Sequence, residues 1–341
     1  MRGCDKMHVI KRILKIRELT SLLFLIVIFL LVGVKNPAFF SPDNIFLAVN
    51  GSVVYTIVAV GIALVIMTGE IDVSVGSTLG LAATVAATLV RDGSPGIIAL
   101  LAAIAVGAAV GIVNGFGVTK LKIPSIIMTL GTYGIVRGLS YLFTGGKWVE
   151  NLPVEFKSLS QISFGHFNLF YIIVILFIAA IYLFQEKSRI GKYFKAVGDN
   201  ENGAVLVGIP VRNIKMISFL ICGVFAGIAG TAYASRVGFV TPMAGNGYEM
   251  KAIAACVLGG ISLSGGVGSM AGAGIGAILM SSISRLLVFL QLPSDYDNTI
   301  TGILLIVIVV ADRLLQLRSM EKARKQRLGA RIQTAQSAER R

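Results

Sequence analysis

The chain has 341 residues, of which 55% are hydrophobic and only 14% are charged. An ordinary soluble domain carries about 25% charged residues, so a soluble fold could not bury this much apolar surface. The net charge of +14 would suit a nucleic-acid-binding protein, but the positions of the basic residues argue against that function.

The apolar residues come in long blocks that contain few charges, such as Ser21 to Val34 and Ala48 to Met67. Blocks of about 17–25 residues are long enough for a helix to cross the hydrocarbon layer. Lipid offers no hydrogen bonds to the backbone, and uninterrupted apolar runs lack the alternation of a membrane β-barrel. The sequence therefore predicts an all-α fold, a polytopic transmembrane helical bundle.

We predict about ten spans in a transmembrane domain from residue 20 to residue 315, with a cytoplasmic tail at residues 1–19 and a basic cytoplasmic tail at residues 316–341. The first block follows a basic start, as in a signal peptide, but no small-residue cleavage site precedes Lys35, which favours an uncleaved helix. The predicted spans are Thr20–Val34, Phe46–Met67, Ser74–Val90, Ile97–Val118, Ile126–Phe143, Leu169–Phe184, Met216–Ser235, Lys251–Leu263, Gly268–Leu290 and Ile300–Leu315.

The basic residues cluster beside the apolar blocks. Of 31 Lys and Arg, six precede Glu18, six lie between Gln185 and Lys215, and nine lie from Arg313 onward. Such flanking clusters mark cytoplasmic segments, and ten crossings place all three on that side, with both termini. A nucleic-acid role for the basic tail is the weaker alternative, because such tails commonly meet anionic lipid headgroups.

Glycines recur at four-residue spacing in several spans. The sets are Gly107, Gly111 and Gly115; Gly268, Gly272 and Gly276; the pair Gly76 and Gly80; and the pair Gly223 and Gly227. This spacing gives a helix a flat face on which a second backbone can approach closely. Packing within one subunit is the favoured interpretation, and a dimer interface is the alternative.

Two short segments resemble each other and interrupt apolar blocks: Gly69–Gly80 and Gly259–Ala271. Transporters are often built from duplicated halves whose solute sites lie at interrupted helices. We therefore expect broken helices near Gly69 and Gly259, in repeats that are either parallel or inverted.

The first of these segments carries Glu70 and Asp72 between two apolar blocks. Ionisable groups near lipid usually mark a pathway or a paired structural site. Both acids can equally cap the helix that begins near Val73 or lie among the cytoplasmic headgroups. Two residues apart they diverge on a helix, so a paired-carboxylate hydrolase is not indicated.

The basic connector between residues 185 and 215 contains a short predicted helix. Asp199 or Asn200 can cap it, and it should end at Gly208 and Pro210. From periodicity alone, a helix lying on the membrane surface is favoured over one that docks into a cytoplasmic partner.

Four segments carry a resemblance to a known family: Gly69–Ser77, Lys122–Thr132, Gly191–Ile209 and Tyr248–Gly266. In this order and over nearly the whole chain, they resemble the ribose-type permeases of bacterial ATP-binding-cassette sugar importers. Within that family, Thr144–Pro153 and the ending from Asp295 to Arg318 look most similar to permeases for autoinducer 2, with rhamnose permeases close behind.

The resemblance implies an inner-membrane importer for a small sugar or sugar-like solute. Its implied partners are a second permease (homodimer or heterodimer), two cytoplasmic ATPases and an external solute-binding protein. The chain lacks the Gly-x-x-x-x-Gly-Lys-Ser/Thr phosphate loop, so ATP hydrolysis is assigned to the ATPases and no cofactor to this chain. The connector helix would contact the ATPase through Asp199, Asn200, Glu201, Gly203, Ala204, Gly208 and Ile209.

Many relatives have Gly-Gly where this chain has Gly69-Glu70, which leaves the role of Glu70 open and makes Asp72 the shared element. In an alternating-access mechanism, a polar solute would need partners along its path. The predicted pathway residues are Asn50, Asp72, Ser74, Ser77, Thr129, Thr132, Ser262 and Ser264. For any one hydroxyl, a bond to its own helix backbone is the stronger alternative.

Two rival functions belong to other classes. A secondary transporter driven by an ion gradient would need buried, partnered ionisable residues, and beyond Glu70 and Asp72 the sequence offers only Arg137 and Arg285, without evident partners. A membrane enzyme or metal site would need a cluster of His, Asp or Cys. The three cysteines and the two histidines have no such spacing, so neither catalytic nor metal-binding residues are predicted.

Overall fold

The computed structural model describes residues 23, 25–27, 29–30, 33–293, 296–307 and 309–310. The predicted tails lie outside these residues, as do parts of the first and last predicted spans. The elements in chain order are a 3-10 turn (Pro37–Phe40), α1 (Pro42–Gly51), α2 (Val53–Met67), α3 (Val75–Arg91), α4 (Gly96–Thr119), α5 (Ser125–Thr144), α6 (Val154–Ser158), β1 (Ser163–Phe164), β2 (Phe167–Asn168), α7 (Leu169–Lys187), α8 (Arg189–Asp199), α9 (Glu201–Leu206), α10 (Val211–Val237), α11 (Tyr248–Leu258), α12 (Met270–Phe289) and α13 (Tyr296–Val307).

The all-α class is confirmed, since the strands in the described part of the chain form a single two-residue hairpin. Five of the described helices, α4, α5, α7, α10 and α12, are long and apolar enough to cross a membrane. A sixth span is formed if α1 and α2, which meet at a bend of 42°, are one crossing. The helices α3, α11 and α13 are shorter, so ten crossings stays a prediction.

Helix α10 is the centre of the bundle and packs against α4, α3 and α2. Its seam with α4 is lined by glycine: a Cβ on Gly107 would overlap the carbonyl oxygen of Gly223, and a Cβ on Gly111 would overlap that of Phe219. In the same way α12 packs on α11, where Gly272 faces Gly259. Packing within one subunit is therefore confirmed for these glycines.

The described loops gather at two ends of the bundle. At one end, Val149 and Val240 form a β-bridge, and the Ser235 hydroxyl donates to the Phe156 carbonyl at 2.7 Å. At the other end, the loop between α2 and α3 meets residues from α8 and from the loop between α11 and α12. The basic connector lies at this second end, which the charge distribution predicts to be cytoplasmic.

The glycine seam gives a stability prediction. Gly107→Ala should destabilise the folded permease by about 1–3 kcal/mol, because the added methyl must push two backbones apart. Thermal unfolding of the purified chain in detergent, followed by size-exclusion chromatography, measures the effect.

Gly302→Ala is the matched control, because no heavy atom of the described residues lies within 4 Å of the position its Cβ would take. It should keep or slightly raise the melting temperature through higher helix propensity. Equal melting temperatures for the two variants would contradict the seam.

Candidate functional site

The helical structure is interrupted between Met67 and Val75, and that α2 and α3 are halves of one broken helix stays a prediction. Helix α2 ends at Met67, and Gly69 follows with a positive φ of 83°. The extended backbone that comes next is held by the start of α5: Ile71 N donates to the Ser125 hydroxyl at 3.2 Å, and Val73 N donates to that of Thr129 at 3.1 Å. These bonds satisfy amides that lie outside any helix.

Asp72 lies at the centre of this first interruption, with 2% of its surface exposed. Its Oδ1 accepts hydrogen bonds from the backbone N and the hydroxyl of Ser74, at 2.8 and 2.6 Å. The Asn114 amide, from α4, donates in turn to the Ser74 hydroxyl at 2.8 Å. Asp72 therefore closes a turn directly before α3. This agrees with its predicted structural role at the start of that helix.

A second interruption separates α11 from α12, between Leu258 and Met270. Its backbone turns through four glycines with positive φ, which are Gly260, Gly265, Gly266 and Gly268. A side chain is rarely tolerated in that conformation, so glycine is what allows the chain to leave one helix and enter the next here.

The two interruptions touch each other. Gly266 N donates to the Met67 carbonyl at 3.0 Å. Helices α2 and α11 also run side by side in one direction, since the Tyr55 and Tyr248 rings stack at 4.4 Å near their starts and Cys256 Sγ lies 3.2 Å from the Ala59 carbonyl further along. The two helices that precede the interruptions thus run in the same direction, and the orientation of the proposed repeats stays a prediction.

The basic connector reaches this junction directly. A Cβ on Gly198, near the end of α8, would overlap the Met67 carbonyl and would crowd Gly265 and Gly266. Likewise, Asp199 at the end of α8 is in close contact with Gly266. The backbone of the connector therefore packs on both interruptions at once.

The short helix α9 forms where the sequence predicts it. The Asn200 side chain accepts a hydrogen bond from Gly203 N at 2.9 Å and so caps the helix, which ends before Gly208 with its φ of 80°. Ala204 is buried, and Ile209 N donates to its carbonyl at 3.0 Å. Beyond Ala204, the Leu206 side chain is 87% exposed, and its neighbours Val205 and Val207 are exposed as well.

A bridge of three charges joins the connector to the first interruption. Lys215, at the start of α10, places its Nζ 2.8 Å from Glu70 Oε1 and 2.8 Å from Glu201 Oε2. Only 13% of the Lys215 side chain and 16% of the Glu70 side chain are exposed. The bridge borders a cavity of about 740 Å³ between the connector and the loop that joins α4 to α5. Glu70, whose role the sequence left open, is therefore one half of an ion pair.

The structure brings five of the predicted pathway residues together, places two in the adjacent second interruption and separates one. Asp72, Ser74, Ser77, Thr129 and Thr132 are all buried, and they lie on α5 or at and beyond the start of α3. Ser262 and Ser264 lie in the second interruption. Asn50 lies at the opposite end, where its Nδ2 donates to the His166 carbonyl at 2.9 Å.

Three of the predicted hydroxyls bond to their own helix, as the structural alternative expects. Ser77 donates to the Ser74 carbonyl, Thr129 to that of Ser125 and Thr132 to that of Met128, at 2.9, 2.8 and 3.0 Å. The hydroxyl protons of these three residues are therefore already hydrogen-bonded to backbone carbonyls. A role for them in solute contact stays a prediction.

Sequence reasoning missed a buried ion pair. Lys251 Nζ lies 2.5 Å from Asp297 Oδ2, and the Ser284 hydroxyl donates to the same oxygen at 2.8 Å. The expectation that few partnered ionisable residues exist beyond Glu70 and Asp72 was wrong. The signal was present, because Lys251 stands at the start of a predicted span. Its partner, 46 positions away, could not be inferred from spacing.

Arg137 and Glu249 are a second set that the sequence did not bring together. Arg137 was expected to lack evident partners, but its Nη1 donates to the carbonyls of Pro242 and Ala244 at 3.0 and 2.7 Å. Glu249 Oε1 accepts from Gly247 N at 3.2 Å. Both side chains are buried.

Comparison with known proteins identifies the family to which the chain is similar. The family model described as "Branched-chain amino acid transport system / permease component" matches residues 44–309. The chain is 40% identical over 312 residues to the autoinducer 2 import system permease protein LsrC of Yersinia pseudotuberculosis serotype O:1b, covering 91% of this chain and 89% of that protein. It is also 40% identical to the protein of that name from Yersinia enterocolitica, over 91% and 86% of the two chains.

No solved structure matches the chain. The family match covers well over half of the residues, and it includes both interruptions, the connector and the three-charge bridge. The resemblance on which the sequence analysis relied is thereby confirmed. The chain belongs to the branched-chain amino acid transport system permease family and is a multi-pass permease of the inner membrane.

Proposed function

We propose that this permease works in an ATP-driven importer that carries a small sugar-like solute into the cytoplasm, with autoinducer 2 as the first candidate. The choice of solute rests on one observation, which is that the chain is 40% identical to an autoinducer 2 import permease over 91% of its length. The proposed assembly has two permeases, two cytoplasmic ATPases and an external solute-binding protein. The ATP is bound and hydrolysed by the ATPases.

The structure supports a route from the ATPase to the path. The exposed apolar tip of α9, formed by Val205, Leu206 and Val207, offers a surface that a cytoplasmic partner can cover. Behind this tip, Gly198 packs on Met67 and on Gly265. A displacement of the connector would therefore reach both interruptions through backbone contacts, which have little room to yield.

The three-charge bridge supplies a second connection. Lys215 joins Glu201 of α9 to Glu70 of the first interruption, so that the connector and the interruption move as one unit while the bridge is intact. Since both Glu70 and Lys215 are largely buried, removing Lys215 leaves Glu70 without its partner at a cost in free energy.

Transport in sealed vesicles tests the proposed function. Vesicles that contain the permease, its ATPase and internal ATP, with binding protein outside, should take up autoinducer 2 after the ion gradient has been collapsed. Uptake that requires the gradient, or uptake by the permease alone, would instead support a secondary transporter.

Docking of α9 can be tested separately. Leu206→Asp should reduce copurification of the ATPase at least about tenfold, because a charge would be buried in an apolar contact. Asn202→Asp places the same charge on the same exposed helix and serves as the control. Equal retention of the ATPase by both variants would show that α9 is not the docking helix.

For the bridge, Lys215→Met should destabilise the permease by about 1–3 kcal/mol, because Glu70 loses its partner. The double variant Glu70→Gln/Lys215→Met should recover part of this loss, since no unpaired carboxylate is left. Thermal unfolding of the four proteins of this double-mutant cycle measures the coupling. Strictly additive losses would mean that the two charges do not interact.

A further inference from the structure

A row of buried polar side chains runs along α5 away from the first interruption. It begins with Ser125 and Thr129, which hold the extended backbone before α3, and continues through Thr132. Arg137 lies on the same helix toward the outer end and is 9% exposed. Most of the predicted pathway residues therefore lie on or beside this row, and Arg137 lies at its outer end.

Glu249 reaches the same place from α11. A Cβ on Gly76 would overlap the Glu249 carboxylate, and a Cβ on Gly80 would lie 3.1 Å from Arg137 Nη1. Gly76 and Gly80 are about one turn apart on α3, so the carboxylate and the guanidinium cover neighbouring positions of one helix face. Small residues at these two positions leave the room that the two charged groups occupy.

Both groups are incompletely hydrogen-bonded, although Glu249 is only 5% exposed. Nε and Nη2 of Arg137 and Oε2 of Glu249 have no hydrogen-bond partner among the described residues. Buried polar atoms are nearly always paired, and charged ones that are not paired cost free energy. A cluster of three such atoms, donors on one residue and an acceptor on the other, is the pattern that a bound polar molecule would complete.

The cluster has an aromatic edge and a cover. The Arg137 guanidinium lies over the Tyr133 ring, 5.6 Å from its centre. The Tyr133 hydroxyl donates to Asn246 Oδ1 at 3.0 Å, at a position exposed to solvent. Because this bond joins α5 to the loop before α11, a separation of the two elements would open the cluster from outside.

We propose that Arg137 and Glu249 form a contact site for the transported solute, which is a neutral compound with adjacent hydroxyl groups. This rests on the proposed import of a sugar-like solute. The guanidinium N–H groups donate to the oxygen of one hydroxyl, and Glu249 Oε2 accepts the proton of the next. Since the two charges cancel, the site has no preference for a charged ligand. The Tyr133 ring offers an apolar contact to the C–H groups of the solute.

The test uses the complete importer in vesicles, with autoinducer 2 as the probe. Glu249→Gln and Arg137→Lys should each lower the rate of uptake about tenfold, because each variant loses one charge-assisted hydrogen bond to the solute in the rate-limiting state. ATP hydrolysed per solute imported should rise by the same factor, because the ATPase contact lies at the other end of the bundle. A purely structural role would not change this ratio.

Ser140→Ala is the matched control. Ser140 is buried on α5 near Arg137, and its hydroxyl donates to the Val136 carbonyl of its own helix, so uptake should be unchanged. Normal uptake by the two charge variants would overturn the proposal and would assign the three atoms to ordered water. A parallel loss of folded protein, uptake and ATP hydrolysis would also overturn it. If the wild-type importer takes up no autoinducer 2, the proposed function fails first.

Discussion

The fold depends on pairing the backbone groups that the two interruptions leave without helical partners. A buried backbone group that has no hydrogen bond costs free energy. The chain meets this demand with its own atoms. The Met67 carbonyl accepts from Gly266 N, and the amides of Ile71 and Val73 find hydroxyls on α5. The two breaks are stable because they are next to each other.

Glycine makes this proximity possible and also gives it a mechanical meaning. Where Gly198 and Gly265 meet the chain around Met67, backbone lies on backbone, with no flexible side chain between them. Densely packed contacts of this kind change arrangement together and do not deform separately. The basic connector is thereby attached firmly to both interruptions.

The sequence predicted those parts of the molecule that depend on short-range signals. Apolar length located the described spans, glycine marked both interruptions, and Asn200 with Gly208 bounded α9, because caps and turns are properties of a few neighbouring residues. The family resemblance came from motifs that are equally local.

Pairings across the bundle could not be read in this way. Glu70 meets Lys215 at a distance of 145 positions, and Lys251 meets Asp297 because α13 returns beside α11. Asn50 was expected on the pathway from its residue type alone, whereas the structure uses both ends of its side chain to hold the hairpin that contains His166. In each case the partner is determined by tertiary packing, which the periodicity of a single sequence does not reveal.

The bridge between Glu70 and Lys215 also limits how this chain can diverge. A descendant that replaced the lysine alone would keep a sheltered anion with nothing to neutralise it, whereas one that replaced Glu70 alone would leave the lysine paired with Glu201. Loss of the lysine is therefore tied to loss of the acid. Relatives that keep a carboxylate at this position should keep the lysine as well.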